Sequence, residues 1–281
     1  MPNPITDPLV ENVIVDDVAS VVKLESTPEG VATVTINRPD KRNAFDALTI
    51  EGLTEAFETL HGADHVRIVF LKGERGHFCA GADLYWMAQA ADFTEEDNRA
   101  DAMTLANMFR RLAEIPAITV AMVEGVAFGD GAALVATCDY AVTMRDARFG
   151  FPEVKIGLTS TVGAPYVVNA IGPRAAQALF LTGRSFDAVE AQRIGLVQEV
   201  AADPVAFGEI EARLVREAMA VAPGAAVEAK RLVWDVWGRR IDHGLMEDMA
   251  HRLARRRISD EGREGVKAFL EHRRPAWTRP A

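Results

Sequence analysis

Residues 125–140 read GVAFGDGAALVATCDY, and the choice of fold turns on what this stretch is for. Gly129 and Gly131 flank an acid, small apolar residues follow, and a helix is expected to begin with no catalytic side chain at its start. As a phosphate loop the stretch fails. It offers G-x-G, but the third glycine position holds Leu134 and no acidic residue sits suitably after a following strand. A lone G-x-G carries little weight. Walker A and G-x-S-x-G motifs are missing from the chain, so P-loop NTPases and α/β-hydrolases have no support. The physical alternative is half of an oxyanion hole. A glycine-rich turn into a helix exposes backbone N–H groups, and the helix dipole adds positive potential there. Two such donors aimed at one point polarise a thioester carbonyl and stabilise an enolate.

The flanking sequence supplies a frame. VVKLES (21–26) and VATVTINRP (31–39) predict a hairpin about TPEG (27–30), with Val31, Thr33 and Thr35 alternating with Ala32, Val34 and Ile36. AFDALTIEGLTEAFETLHG (44–62) spaces Leu48, Leu53, Phe57 and Leu60 as the buried stripe of a helix ending at Gly62. VRIVFLKG (66–73) and AITVAMVEG (117–125) are short buried strands around a helix at 97–116 closed by Pro116. Strand and helix alternate to about residue 145, which favours an α/β sheet with covering helices. After Gly163 the chain is expected to be helical: APYVVNAIG, PRAAQALFLTG, SFDAVEAQRIG, then amphipathic runs from Pro204. The expected organisation is an N-terminal arm (1–18), an α/β core (19–205) and a helical C-terminal region (206–281).

Composition narrows the function classes. The 281 residues are 49% hydrophobic and 26% charged, an ordinary globular balance. A net charge of -10 argues against non-specific nucleic-acid binding, which needs a basic face. Cys79 and Cys138 form neither a disulfide framework nor a metal-ligand spacing, so no metal site is expected. Cys79, with no histidine–acid pattern nearby, reads as a small core residue. The N-terminal residues lack the basic-then-apolar pattern of a secretory signal, and no apolar run is long enough to span a bilayer. The expectation is a soluble cytoplasmic protein with no nucleic-acid or membrane partner.

A second turn, HFCAGADLYWM (77–87), places Gly81 between Ala80 and Ala82 after the strand at 66–73. Alone it reads as a tight turn capped by Asp83. In company it says more. NRPDKRNAF (37–45), FCAGADL (78–84), GVAFGDGAAL (125–134) and RFGFPEVKIGL (148–158) occur in the order seen in the crotonase superfamily. From about Val21 to EGVKAFLEHRRPAW (264–277), the chain resembles enoyl-CoA hydratases and isomerases.

The resemblance implies a crotonase-type spiral of ββα units and a helical C-terminal trimerisation region, hence a homotrimer or a dimer of trimers. It implies a coenzyme A thioester as ligand, with no further cofactor. The N–H groups of Ala82 and Asp130 would be the oxyanion donors. Ala80 would meet the adenine through its carbonyl, and Arg42 to Ala44 would flank the CoA chain. Asp83, Leu84, Trp86 and Phe128 join them as substrate-binding candidates; Trp86, Met87 and Phe93 would line the acyl pocket or, equally, form an apolar lid or core. Phe269, His272 and Arg273 match the segment that closes over the nucleotide, within one subunit or from a neighbour. HRLARRR (251–257) reads first as a solvated helix face and second as a contact to a neighbouring subunit or the CoA phosphates.

Glu153 is the acid/base candidate. A lone glutamate is ordinarily a solvated surface group, but Phe151, Pro152 and Val154 beside it argue for partial burial, which raises a carboxyl pKa. Three departures from the family pattern matter. The second glutamate of two-carboxylate hydratases corresponds to Ala133, and Asp130 replaces the middle glycine, where a Cβ is restrictive if φ is positive. Ser160 stands where many relatives have proline.

Three functions follow. Hydration of a 2-enoyl-CoA, straight or branched, to a 3-hydroxyacyl-CoA is favoured, because the flanking text looks closest to the methylglutaconyl-CoA and geranyl-type branch. Double-bond isomerisation needs only one carboxylate. An acyl-CoA binding protein with little turnover is the third.

Overall fold

The structure is a computed structural model and describes residues 21–278; the expected arm at 1–18 lies outside them. The chain opens with β1 (Val22–Ser26) and β2 (Val31–Ile36), an antiparallel hairpin pairing Val22 with Ile36. Ala32, Val34 and Ile36 are buried, so the alternation in the sequence names the inward face correctly.

The remaining elements follow in order. They are α1 (Ala47–His61), β3 (Ile68–Gly73), α2 (Leu84–Ala90), α3 (Glu95–Glu114), β4 (Ile118–Val123), β5 (Val126–Phe128) and α4 (Asp130–Thr137). Next come β6 (Tyr140–Met144), β7 (Arg148–Gly150), a 3-10 turn at Pro152–Ile156, α5 (Ala164–Thr182), β8 (Ser185–Asp187), α6 (Ala188–Arg193) and β9 (Glu199–Ala201). The chain then becomes wholly helical: α7 (Pro204–Ala220), α8 (Pro223–Val236), α9 (His243–Ile258) and α10 (Asp260–Leu270).

Two sheets organise these elements. The larger has the order β1-β2-β3-β4-β6-β9, parallel except for the first hairpin; the smaller is β5-β7-β8. Successive strands alternate between them: β4 in the large sheet, β5 in the small, then α4; β6 in the large, β7 in the small, then α5. Single parallel bridges, Cys79 to Ala127 and Phe45 to Ala82, carry the small layer back under the earlier units. This is the ββα spiral of the crotonase fold.

The central strands β3 and β4 are buried on both faces, which is why they read as near-continuous apolar runs. Val69, Leu71, Ala121 and Val123 face Leu53, Phe57, Met108 and Phe109 of α1 and α3; Ile68, Phe70, Val120 and Met122 face Leu214 and Ala218 of α7. Lys230 of α8 donates to the carbonyls of Ile115 and Ala117 and pairs with Asp139 at 2.8 Å, tying the C-terminal helices to the core.

Two expectations need correction. Leu48 is 57% exposed, and the inward stripe of α1 runs through Ile50, Leu53, Phe57 and Leu60. Leu48 is five residues from Leu53, about 140° round the helix, so it leaves the buried face. The stretch 185–201 also contains β8 and β9, read from the sequence as helix and connection; each strand is three residues long and has no periodicity to detect. Gly172 (φ 76), followed by Pro173, interrupts α5 where the sequence divides the two helical runs.

Candidate active site

The site is made where the two glycine turns meet. The Cys79 N–H donates to the Val126 carbonyl at 2.9 Å, and the Phe128 N–H donates to the Cys79 carbonyl at 3.0 Å. This pairing lays 78–82 along 126–130. A Cβ on Gly81 (φ 90) would lie 2.8 Å from the Phe128 carbonyl oxygen and 3.7 Å from Gly129 Cα. The close approach therefore requires glycine. Gly129, at φ 52 and ψ -122, turns the chain into α4, whose first bond runs from the Ala133 N–H to the Gly129 carbonyl.

Asp130 follows in ordinary helical conformation. The positive φ belongs to Gly129, so the Cβ of Asp130 meets no backbone restriction there. Among the described residues, the N–H groups of Ala82 and Asp130 donate to no acceptor. Both belong to adjoining turns, and the second is at the positive end of a helix.

Glu153 reaches this point from the small sheet. The Gly129 N–H donates to the Gly150 carbonyl at 2.9 Å, holding the β7 end against the turn. Phe149 and Phe151 are fully buried, and Phe151 packs edge-on to Phe180 with ring centres 5.0 Å apart. Pro152 starts the 3-10 turn and Gly157 (φ 79) closes it, leaving Glu153 on its inner side. Glu153 Oε1 lies 2.8 Å from where a Cβ of Gly129 would stand. Its Oε2 is buried with no hydrogen-bond partner among the described residues. Asp130 keeps some solvent contact, yet burial first and the Glu153 carboxylate second push its carboxyl up to about 7.

The neighbouring loop is braced by polar groups. Asn43, fully buried at φ 59, donates from Nδ2 to the Glu74 carbonyl at 3.0 Å and also to the His77 carbonyl; its Oδ1 accepts the Arg38 N–H at 2.9 Å. Arg38 pairs with Asp46 at 2.9 Å and Asp83 at 3.2 Å. Burial alone would raise the Asp83 pKa, but the Tyr85 N–H and the Arg38 guanidinium outweigh it and hold it below the usual carboxylate value. Sequence reasoning missed Arg38 and took Asn43 only as part of the Arg42–Ala44 segment, although both lie inside NRPDKRNAF. A buried left-handed asparagine in a polar motif is visible only once its partners are known.

Ala82, Asp130 and Glu153 are thus brought together. Arg42 is exposed in left-handed conformation (φ 49), Ala44 is buried, and the Ala80 N–H is held by the Arg42 carbonyl at 3.0 Å. The Asp83 carboxylate caps α2 through the Tyr85 N–H and binds Arg38. Leu84 is exposed and Trp86 packs partly on the core. Trp86 and Leu48 share a shallow groove with Lys41, whose ammonium sits 4.7 Å from the Tyr85 ring centre. The Phe128 ring lies over Gly150.

The C-terminal candidates stand differently. Phe269 is 80% exposed on α10, which packs on α9. Arg273 is clamped by Glu264 at 2.7 and 2.9 Å and by Glu271 at 2.8 Å, so within one chain its charge is already neutralised. His272 is the left-handed residue (φ 51) just past that helix. Cys79 is a core residue: burial lifts its thiol to about 12, and its sulfur accepts the Gly81 N–H. A cavity of about 460 Å³ between α4, α5 and α8, lined by Cys138, Tyr166, Lys230 and Trp234, contains none of the candidates.

Two touching glycine turns, two unused N–H groups and an unpartnered buried carboxylate form one site. The sequence profile described as enoyl-CoA hydratase/isomerase matches residues 26–280. The chain belongs to that family. A Thermus thermophilus protein assigned as an enoyl-CoA hydratase is 34% identical over 249 residues, covering 88% of this chain and 97% of its own. The mevalonyl-coenzyme A hydratase sidH of Aspergillus fumigatus is 33% identical, covering 88% and 91%. A crystal structure from Legionella pneumophila, assigned as an enoyl-CoA hydratase/isomerase (crotonase), superposes with a TM-score of 0.85. It has 40% identity, over 92% of this chain and 99% of that one. Membership makes the chain an enzyme of the enoyl-CoA hydratase/isomerase family. Among the described residues, no helix is long and apolar enough to cross a membrane.

Proposed function

We propose that the chain hydrates a 2-enoyl-CoA to the 3-hydroxyacyl-CoA, with the N–H groups of Ala82 and Asp130 holding the enolate oxygen and Glu153 acting as acid/base. The observation that carries this reading is Glu153 Oε2, buried and unpartnered beside the Gly129 turn. Leaving a buried polar atom unpaired costs on the order of 1–3 kcal/mol. A working base tolerates that cost because its partner arrives with the substrate.

The chemistry follows from the groups present. As the thioester oxygen gains charge, it draws both N–H donors, each worth roughly 3 kcal/mol in the transition state. Glu153 takes a proton from water while the water oxygen bonds to C3, and a proton is delivered to C2 as the thioester re-forms. These steps call on no resident cofactor; coenzyme A is part of the substrate. A branched acyl group is supported by the relative named for mevalonyl-coenzyme A. Assembly as a homotrimer or a dimer of trimers is supported by exposed Trp234, Trp237 and Ile241 in the C-terminal helical region.

Isomerisation is the second reading, favoured by Ala133 where a second glutamate is the pattern. In heavy-oxygen water, 2-enoyl-CoA should give a labelled 3-hydroxyacyl-CoA. A shifted double bond without label would refute hydration. Glu153→Gln should lower turnover at least ~10²-fold while binding of CoA esters survives. A wild-type protein inert on a panel of enoyl-CoAs would instead mark a binding protein.

A further inference from the structure

Hydration takes one proton from the water that bonds to C3 and delivers one to C2, and the family's second glutamate position is Ala133 here. That position is closed to a longer side chain. Ala133 is 3% exposed, and a Cβ on Gly163 at the start of α5 would overlap its own Cβ. Another carboxyl, that of Asp130, stands one turn earlier on α4. Asp130 and Ala133 are i and i+3 on α4, so they share a face. Asp130 Oδ1 lies 3.9 Å from the same Gly163 Cβ position that overlaps Ala133, so its carboxyl and the alanine both face the start of α5. It makes no hydrogen bond or ion pair among the described residues.

Resting on the hydration reading, we propose that the Asp130 side chain is the second acid/base group of the reaction, giving its proton to C2 while Glu153 takes one from water. Asp130 then serves twice, its N–H on the oxyanion and its carboxyl on the carbon. The step balances. The water oxygen bonds to C3, the C2–C3 π pair moves onto the enolate, and the returning pair takes the Asp130 proton at C2. Glu153 ends protonated and Asp130 ionised; transfer of that proton from Glu153 to Asp130 resets the pair. Burial and then the Glu153 carboxylate raise the Asp130 carboxyl, which keeps the proton on the acid before the substrate enters. The titratable groups acting on Asp130 are Glu153 and the Cys79 thiol, which stays neutral at about 12; α5 approaches through uncharged Gly163.

The test uses the full chain with crotonyl-CoA and 3-methylcrotonyl-CoA as probes. Asp130→Asn keeps the backbone donor, and Asp130→Gly restores the family's usual residue, so neither removes the oxyanion hole. Both should lower hydration kcat roughly 10²-fold with KM nearly unchanged. Wild-type kcat/KM should fall as pH rises through about 7, and that limb should vanish in Asp130→Asn. Deuterium exchange at C2 of the 3-hydroxyacyl-CoA should slow in parallel. Either variant within threefold of wild type, with the alkaline limb intact, overturns the role of Asp130 and leaves hydration standing. A wild-type enzyme that makes no 3-hydroxyacyl product overturns the hydration reading itself.

Discussion

Replacing Gly129 by alanine should cost both stability and turnover, and the structure separates the two. Gly129 holds φ 52 and ψ -122, a combination that side-chain-bearing residues rarely adopt. Forcing alanine into it costs roughly 1–3 kcal/mol. The new methyl carbon would also lie 2.8 Å from Glu153 Oε1, inside van der Waals contact, so the carboxylate must swing away. A loss of about 2 kcal/mol lowers Tm by roughly 5 °C in a chain of this size. On the proposed mechanism the effect on chemistry is larger, because the substitution displaces Glu153, the proposed base, and re-aims the Asp130 N–H, a proposed oxyanion donor. Losing one oxyanion donor alone costs ~10²–10³ in kcat. Thermal melts and crotonyl-CoA hydration should be measured together, with Gly238→Ala as the control. Gly238 has φ 69 and open space around it, so it isolates backbone strain from the clash. Hydration by Gly129→Ala within threefold of wild type would overturn this account, as would an equal loss of activity in the control.

Two further outcomes are expected. Asn43→Ala removes three hydrogen bonds from a fully buried, left-handed position and should destabilise by about 3 kcal/mol in urea unfolding; a loss below about 1 kcal/mol would count against the bracing role. Asp130→Asn should also change the pH dependence of stability. The Asp130 pKa rises from 3.8 to about 7 on folding, so the folded chain binds more protons between these values and stability falls as pH rises across them. The Tm of the variant relative to wild type should therefore climb from pH 4 to 7 and then level off. A difference that stays flat from pH 4 to 8 would argue that the carboxyl is not perturbed.

Much of the fold was legible because its signals are local. The hairpin alternation, the break at Gly172 and Pro173, and the helix of 97–116 each depend on neighbours a few residues away. Leu48 was misread because a stripe of leucines was followed without its angle, and β8 and β9 were missed because three residues carry no period. At the site, Gly81 and Gly129 were readable as turns, whereas Arg38 and Asn43 took their roles from partners across the loop.

Contiguous residues were enough to specify the family, the two glycine turns and the donors they present, since exposing an N–H is a property of a few successive backbone angles. What surrounds the carboxyls was decided by folding. The approach of Asp130 to the start of α5, the raised pKa of Asp130 beside Glu153, and the neutralisation of Arg273 all arise between groups that meet in space. Desolvation and Coulomb interaction depend on distance through space, and GVAFGDGAAL contains no record of how near Glu153 and Gly163 will come.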